Sequence, residues 1–219
     1  MTNLESVIDR IEKARLSYNN KAIIKLVAAS KYVDAEAIKK LYLEGQRAFG
    51  ENKIQDMRAK KLSLDELPIE WHFIGRIQTN KINMMLEANP FLVHSIDSYE
   101  MALEIDKRAK VKNMQINALL QINSAKEETK AGVDPEVASD EYRKIIQNLP
   151  NINLKGVMTI GAHSEEKKDI QKSFEGCRKI FDELEKEGAK ICSMGMSSDF
   201  ELAIASGSNM LRVGSILFS

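Results

Sequence analysis

The stretch Lys25–Ile38, "KLVAASKYVDAEAI", decides the fold. Its first half is an apolar run of strand length, Leu26 to Ala29, and Asp34 stands where a helix N-cap would stand. Lys31 falls between the two, at the end of the strand. Unpaired N–H groups at a helix start favour anions, so a lysine gains nothing there from the backbone dipole. A ligand-directed amine is one reading of Lys31. A rim lysine whose stem lies over apolar surface is the other.

The same unit recurs along the chain. Apolar runs stand at 47–52 ("RAFGEN"), 71–75 ("WHFIG"), 91–97 ("FLVHSID"), 116–123 ("INALLQIN"), 154–161 ("LKGVMTIG"), 191–196 ("ICSMGM") and 210–218 ("MLRVGSILF"). With 25–30 they make eight candidate strands. The intervening segments have helical spacing. "DAEAIKKLYLEG" ends on Gly45, "DSYEMALEIDKRAK" begins at an Asp/Ser cap, and Ser198 and Glu201 are in capping-box register. Ile170, Phe174, Cys177, Phe181 and Leu184 form one apolar stripe that finishes at Gly188.

Repeated strand–helix alternation predicts a parallel sheet, and eight units predict an α/β fold closed as a (β/α)8 TIM barrel. At 219 residues it is compact beside the usual ~250. The rival, an open doubly wound sheet, would carry a glycine fingerprint after its first strand, and "AASKYVDA" has none. Four prolines and no Pro/Gly-rich linker predict one domain over 1–219. Leu4, Val7, Ile8 and Ile11 add a helix ahead of the first strand.

Composition narrows the function. Lys+Arg and Asp+Glu are both 32, so no net charge marks a nucleic-acid or membrane-surface partner. No run approaches the ~20 apolar residues of a membrane span. Cys177 and Cys192 have no zinc-site spacing and read as packing residues. A cytoplasmic monomer is expected.

Barrels place ligands at the carboxyl ends of their strands. Those ends carry Lys31, Glu51 and Asn52, Gly75 and Arg76, Ser95 and Asp97, Gln121 and Asn123, Thr159 and Gly161, then "SMGMSSD" and "RVGS". The last two are small-residue turns after strand seven and within strand eight, where this fold recurrently seats phosphate. Strand eight closes onto strand one, so Lys31 is expected beside that seat. A lysine near phosphate serves either as a Schiff-base amine or as a point charge. The first is helped by an apolar surrounding that desolvates the amine. His72 reads as a core histidine, and His94 and His163 have no partner at metal-ligand spacing.

"LVAASK", "FGEN", "HFIGRIQTNK", "GVMTIGA" and "SMGMSSDFELAIASGSNMLRVGS" stand in an order and spacing that resembles the YggS-type pyridoxal phosphate homeostasis proteins, called PROSC in animals. The resemblance runs from about Leu26 to the end. It implies the barrel of the alanine racemase N-terminal domain and pyridoxal 5′-phosphate (PLP) as cofactor. By resemblance Lys31 holds PLP as an internal aldimine, Ser197, Gly214 and Ser215 match the phosphate positions, Arg212 faces the pyridine nitrogen, and Asn52 lies near the ring. An arginine can only donate, so the ring stays unprotonated and a weak electron sink. A tyrosine base matching that of alanine racemase is absent from the tyrosines here. The resemblance therefore implies a non-catalytic protein that buffers PLP or delivers it to apo PLP-dependent enzymes. A slow amino-acid racemase and a phosphosugar-binding barrel remain the alternatives. Two departures stand out: Lys53 where the family commonly has tyrosine, and Ser215 where it commonly has threonine.

Overall fold

The structure, a computed structural model, describes residues 2–127 and 131–219. Eight strands run β1 (Lys25–Ala29), β2 (Ala48–Glu51), β3 (Glu70–Phe73), β4 (Leu92–Ile96), β5 (Ile116–Ile122), β6 (Ile152–Thr159), β7 (Ile191–Ser193) and β8 (Met210–Val213). Each pairs in parallel with the next, and β8 pairs with β1 from Lys25↔Met210 to Ala28↔Val213. The sheet is a closed barrel. The open-sheet rival is excluded.

The helices are α1 (Asn3–Tyr18), α2 (Ala35–Leu43), α3 (Ile54–Ser63), α4 (Ile82–Ala88), α5 (Tyr99–Val111), α6 (Ala138–Asn148), α7 (Lys167–Leu184), α8 (Phe200–Ala205) and α9 (Ser215–Phe218). Several start where their caps predict. Asp34 accepts from the Ala37 N–H at 2.9 Å, and Ser98 accepts from Met101 at 3.1 Å. Thr2 and Glu5 form a capping box on α1.

Strand alternation divides the core into two layers. Val27, Ala48, Leu92, Leu119, Met158 and Met210 fill the barrel interior. Phe49, Trp71, Tyr142, Phe174, Phe181 and Phe200 pack between sheet and helices. On α7 the apolar stripe behaves as spaced, with Phe174, Cys177, Phe181 and Leu184 buried. Both cysteines are buried and free, and the Cys192 sulfur together with burial pushes the Cys177 thiol well up, as befits packing residues.

Several details differ from the sequence reading. β8 stops at Val213, because Gly214 leaves the extended region and the Leu217 N–H closes a turn onto the Gly214 carbonyl at 2.9 Å. Residues 215–218 are therefore helix, and Leu217 is buried. The Ser198–Glu201 capping box does not form. α8 starts one residue later, with Asp199 accepting from the Met196 N–H at 2.6 Å and Glu201 paired to Arg10 of α1. β6 begins at Ile152, two residues early. Ile8 is 51% exposed, so α1 packs on α8 and α9 through Leu4, Val7 and Ile11.

The barrel interior also holds a polar row. Lys25 pairs with Glu70, His72 lies 3.8 Å from Glu70, and His72 Nδ1 meets His94 Nε2 at 2.8 Å. His72 and the Lys25 ammonium hold the Glu70 carboxyl down at about 2. With the His94 Nε2–H donating to His72 Nδ1, the His72 Nε2–H faces Glu70 at 3.8 Å without a hydrogen bond, and His94 Nδ1 is a buried acceptor with no partner among the described residues. Burial pushes both imidazoles below the ordinary value, so they stay neutral at pH 7. The unfolded chain takes up these protons below about pH 6.5 while the folded chain does not. Stability therefore falls as pH drops through that value toward the depressed folded ones. Thermal melts at pH 7.5, 6.5 and 5.5 should show the midpoint declining below 6.5. A midpoint unchanged down to 5.5 would show that the pair is protonated without cost.

Candidate functional site at the carboxyl rim

Closure of the barrel sets one arc of the rim. In register, Ala28 stands opposite Val213 of β8, and Ala29 stands opposite Gly50 of β2. Gly214 follows directly and lies against Ala29: a Cβ there would meet the Ala29 carbonyl oxygen at 3.0 Å. Lys31 and Asn52 each stand two residues beyond the Ala29–Gly50 pair. The sequence thus places Lys31 on the same parity as the inward-facing Val27.

The β7 and β8 loops are tied together. The Gly214 N–H donates to Ser197 Oγ at 3.1 Å, and the Arg212 N–H donates to the Gly195 carbonyl at 3.0 Å. Ser215, exposed, opens α9 next to this contact. The structure therefore brings Ser197, Gly214 and Ser215 together, as their motifs suggest.

Arg212 points inward from β8 and is 6% exposed. Its guanidinium donates to Ser193 Oγ at 2.6 Å and to the Thr159 carbonyl at 2.9 Å. Burial lowers its pKa to about 10, so it remains a cation at neutral pH. No carboxylate stands within ion-pair distance of it among the described residues. A buried cation held by neutral acceptors keeps donor capacity for an incoming acceptor.

Lys31 differs from expectation. It lies past the end of β1 on an exposed turn, with Nζ 4.8 Å from the centroid of the Tyr32 ring. Its side chain is exposed because the strand stops at Ala29 and Lys31 stands in the turn beyond it. Beneath that turn lies a buried clamp that sequence reasoning missed. Glu51, fully buried, accepts from Ser30 Oγ at 2.5 Å and from Lys60 Nζ at 2.8 Å, and Lys60 also donates to the Ser30 carbonyl at 2.9 Å. Glu51 thus stands inside β2 as a support for the residue before Lys31. Lys60 gave no signal, being one of several charges along α3.

Asn52 is seated by a close approach of loops. Gly75 follows β3 with its Cα against the Asn52 backbone, and a Cβ there would run into the Asn52 carbonyl. A cavity of about 360 Å³ opens beside Asn52, with Lys53 and Arg76 on its wall. Three further strand-end residues are bonded into the scaffold. Ser95 donates to the Gly75 carbonyl at 2.5 Å, Gln121 donates to the Ala131 carbonyl at 2.8 Å, and Thr159 donates to the Ile122 carbonyl at 2.8 Å. No group of three or more His, Cys, Asp or Glu side chains is placed to hold a metal among the described residues, and no described helix is long and apolar enough to cross a membrane.

The family described as alanine racemase, N-terminal domain, matches residues 3–219. A pyridoxal phosphate homeostasis protein of Helicobacter pylori is 51% identical over 215 residues, covering 98% of this chain and 96% of the relative. PipY of Synechococcus elongatus, solved with PLP bound, superposes with a TM-score of 0.81 at 32% identity, covering 95% of this chain and 100% of PipY. Alanine racemase of Clostridium difficile superposes at 0.77 with 19% identity, covering 98% of this chain and 58% of the racemase, which is a likeness of fold.

Two substitutions test the supports. Lys60→Met strands the Glu51 carboxylate in the core and should cost about 3–5 kcal/mol in denaturant unfolding. Gly75→Ala forces the β2 and β3 loops apart and should cost about 1–3 kcal/mol. A loss under about 0.5 kcal/mol in either would show that the contact is not a support.

Proposed function

The chain belongs to the alanine racemase N-terminal domain family, among its pyridoxal phosphate homeostasis proteins, and on that premise we propose that it binds PLP and serves PLP homeostasis. The observation that carries the reading is the buried Arg212 cation, free of any carboxylate, at the root of the arc that leads through Gly214 to Lys31.

The residues fit the cofactor. Ser197 and Ser215 supply hydroxyls and Gly214 a side-chain-free approach, a combination suited to a phosphate. Arg212, which can only donate, suits an unprotonated ring nitrogen, and Asn52 stands near enough along the rim to border the ring. Lys31 presents an exposed amine with no carboxylate partner among the described residues. When bound, PLP supplies an aldehyde that condenses reversibly with an amine and releases water; here that amine is Lys31, giving a Schiff base.

The role is carriage. An exposed lysine lets the aldehyde be captured and released again by water or by another amine. Arg212 offers no proton-accepting group to hold a protonated ring, so the site lacks the strong electron sink on which most pyridoxal catalysis depends. The protein buffers a reactive aldehyde and delivers it to apo PLP-dependent enzymes, as a cytoplasmic, non-catalytic monomer of one domain.

Absorbance with added PLP, followed by borohydride reduction and mass mapping, tests this. Lys31→Ala should abolish the Schiff-base band and the reduced adduct, yet retain weaker PLP binding through Ser197, Gly214 and Ser215. A label scattered over surface lysines in the parent protein would remove Lys31 from the site. Measurable inversion of alanine by pure protein, lost in Lys31→Ala, would make it an enzyme.

A further inference from the structure

The motif "HFIGRIQTNK" supplies none of the residues assigned to PLP, yet it lines most of the cavity of about 360 Å³ beside Asn52. That volume lies in the range of small-molecule sites. Its wall carries three cations from three segments: Lys53 between β2 and α3, Arg76 after β3, and Lys81 at the end of the 3-10 turn Thr79–Lys81. No Asp or Glu lines it. None of the three makes an ion pair or a side-chain hydrogen bond among the described residues. Counter-charges do exist nearby: Glu87 at the end of α4 pairs with Arg58 and Lys112, outside the cavity. The floor is apolar and buried, with Phe73 and Met85 beneath the charges.

Three like charges around one concavity, Lys53 and Arg76 exposed and Lys81 half-buried, raise the local concentration of anions. A guanidinium among them favours the fork geometry of a phosphate or carboxylate. The apolar floor then selects for a body attached to the anion. We propose that this cavity is a second anion site, distinct from the PLP phosphate seat, that takes a phosphate monoester of a small aromatic or aliphatic molecule. Lys53 is one of its cations. Asn52 is shared with the PLP arc, so occupancy of the cavity bears on the residue that borders the cofactor.

Calorimetric titration of the full-length protein with phenyl phosphate and with inorganic phosphate tests this, before and after the first site is filled by PLP and sealed by borohydride. The expected result is one saturable site for phenyl phosphate that persists in the sealed protein. The ester should bind about tenfold tighter than inorganic phosphate, from removal of the ring itself from water within the cavity. The triple variant Lys53→Gln, Arg76→Gln, Lys81→Gln should lose at least about tenfold in affinity with its melting temperature unchanged. Binding that vanishes on sealing, survives undiminished in the triple variant, or is as tight for inorganic phosphate overturns the proposal. Were PLP not to load at all, the triple variant in the unsealed protein would still decide, so failure of the cofactor reading is told apart from failure of this one.

Discussion

Pairing of β8 with β1 is the contact on which this molecule depends. Four residues of each strand stand in register, from Lys25↔Met210 to Ala28↔Val213, and they join segments almost two hundred residues apart. Without that pairing the sheet has two open edges and no interior. With it, Val27 and Met210 share a packed interior layer, Arg212 turns inward, and Gly214 comes to rest on Ala29. The arc from Ser197 through Gly214 to Lys31 is a by-product of closure. Chain ends that are remote in sequence become one edge of a site.

The interior departs from the all-apolar filling common in such barrels. Lys25, Glu70, His72 and His94 form a row, and Arg212 stands above with Ser193 and Thr159. Each charge is handled differently. Lys25 and Glu70 neutralise one another, the histidines avoid charge through burial, and Arg212 keeps its charge on neutral acceptors. The Glu51–Lys60 clamp at the rim is a fourth solution, spanning β2 and α3 to hold the turn before Lys31. Of these groups, Arg212 is the one buried charge with no carboxylate within ion-pair distance among the described residues.

Much of the site was legible because its parts are local. "GMSSD" and "RVGS" announce small-residue turns at strand ends, and the structure joins them through the Gly214–Ser197 hydrogen bond. Lys31 is legible as a lysine at a strand end, but the choice between a desolvated and an exposed amine is not: burial depends on which neighbours surround it at the rim. The α8 cap was misread because Asp199 and Ser198 are both good caps, and the choice was made by the Met196 N–H that Asp199 reaches. "SILF" is as apolar as a strand, and a short apolar run has no periodicity to tell strand from helix, so the end of strand eight is not legible in the sequence.

The amino-acid sequence by itself determined the eight strand–helix units, the main caps, the apolar faces and the order of the motifs, since each arises from spacing within a few residues. Tertiary structure alone decided that Lys60 reaches Glu51, that His72 meets His94, and that Gly75 must lack a side chain beside Asn52. It also decided that Lys53, Arg76 and Lys81 surround one cavity while their potential counter-ions pair elsewhere. These facts depend on distances between strands and loops far apart in the chain, and such distances exist only once the barrel is closed.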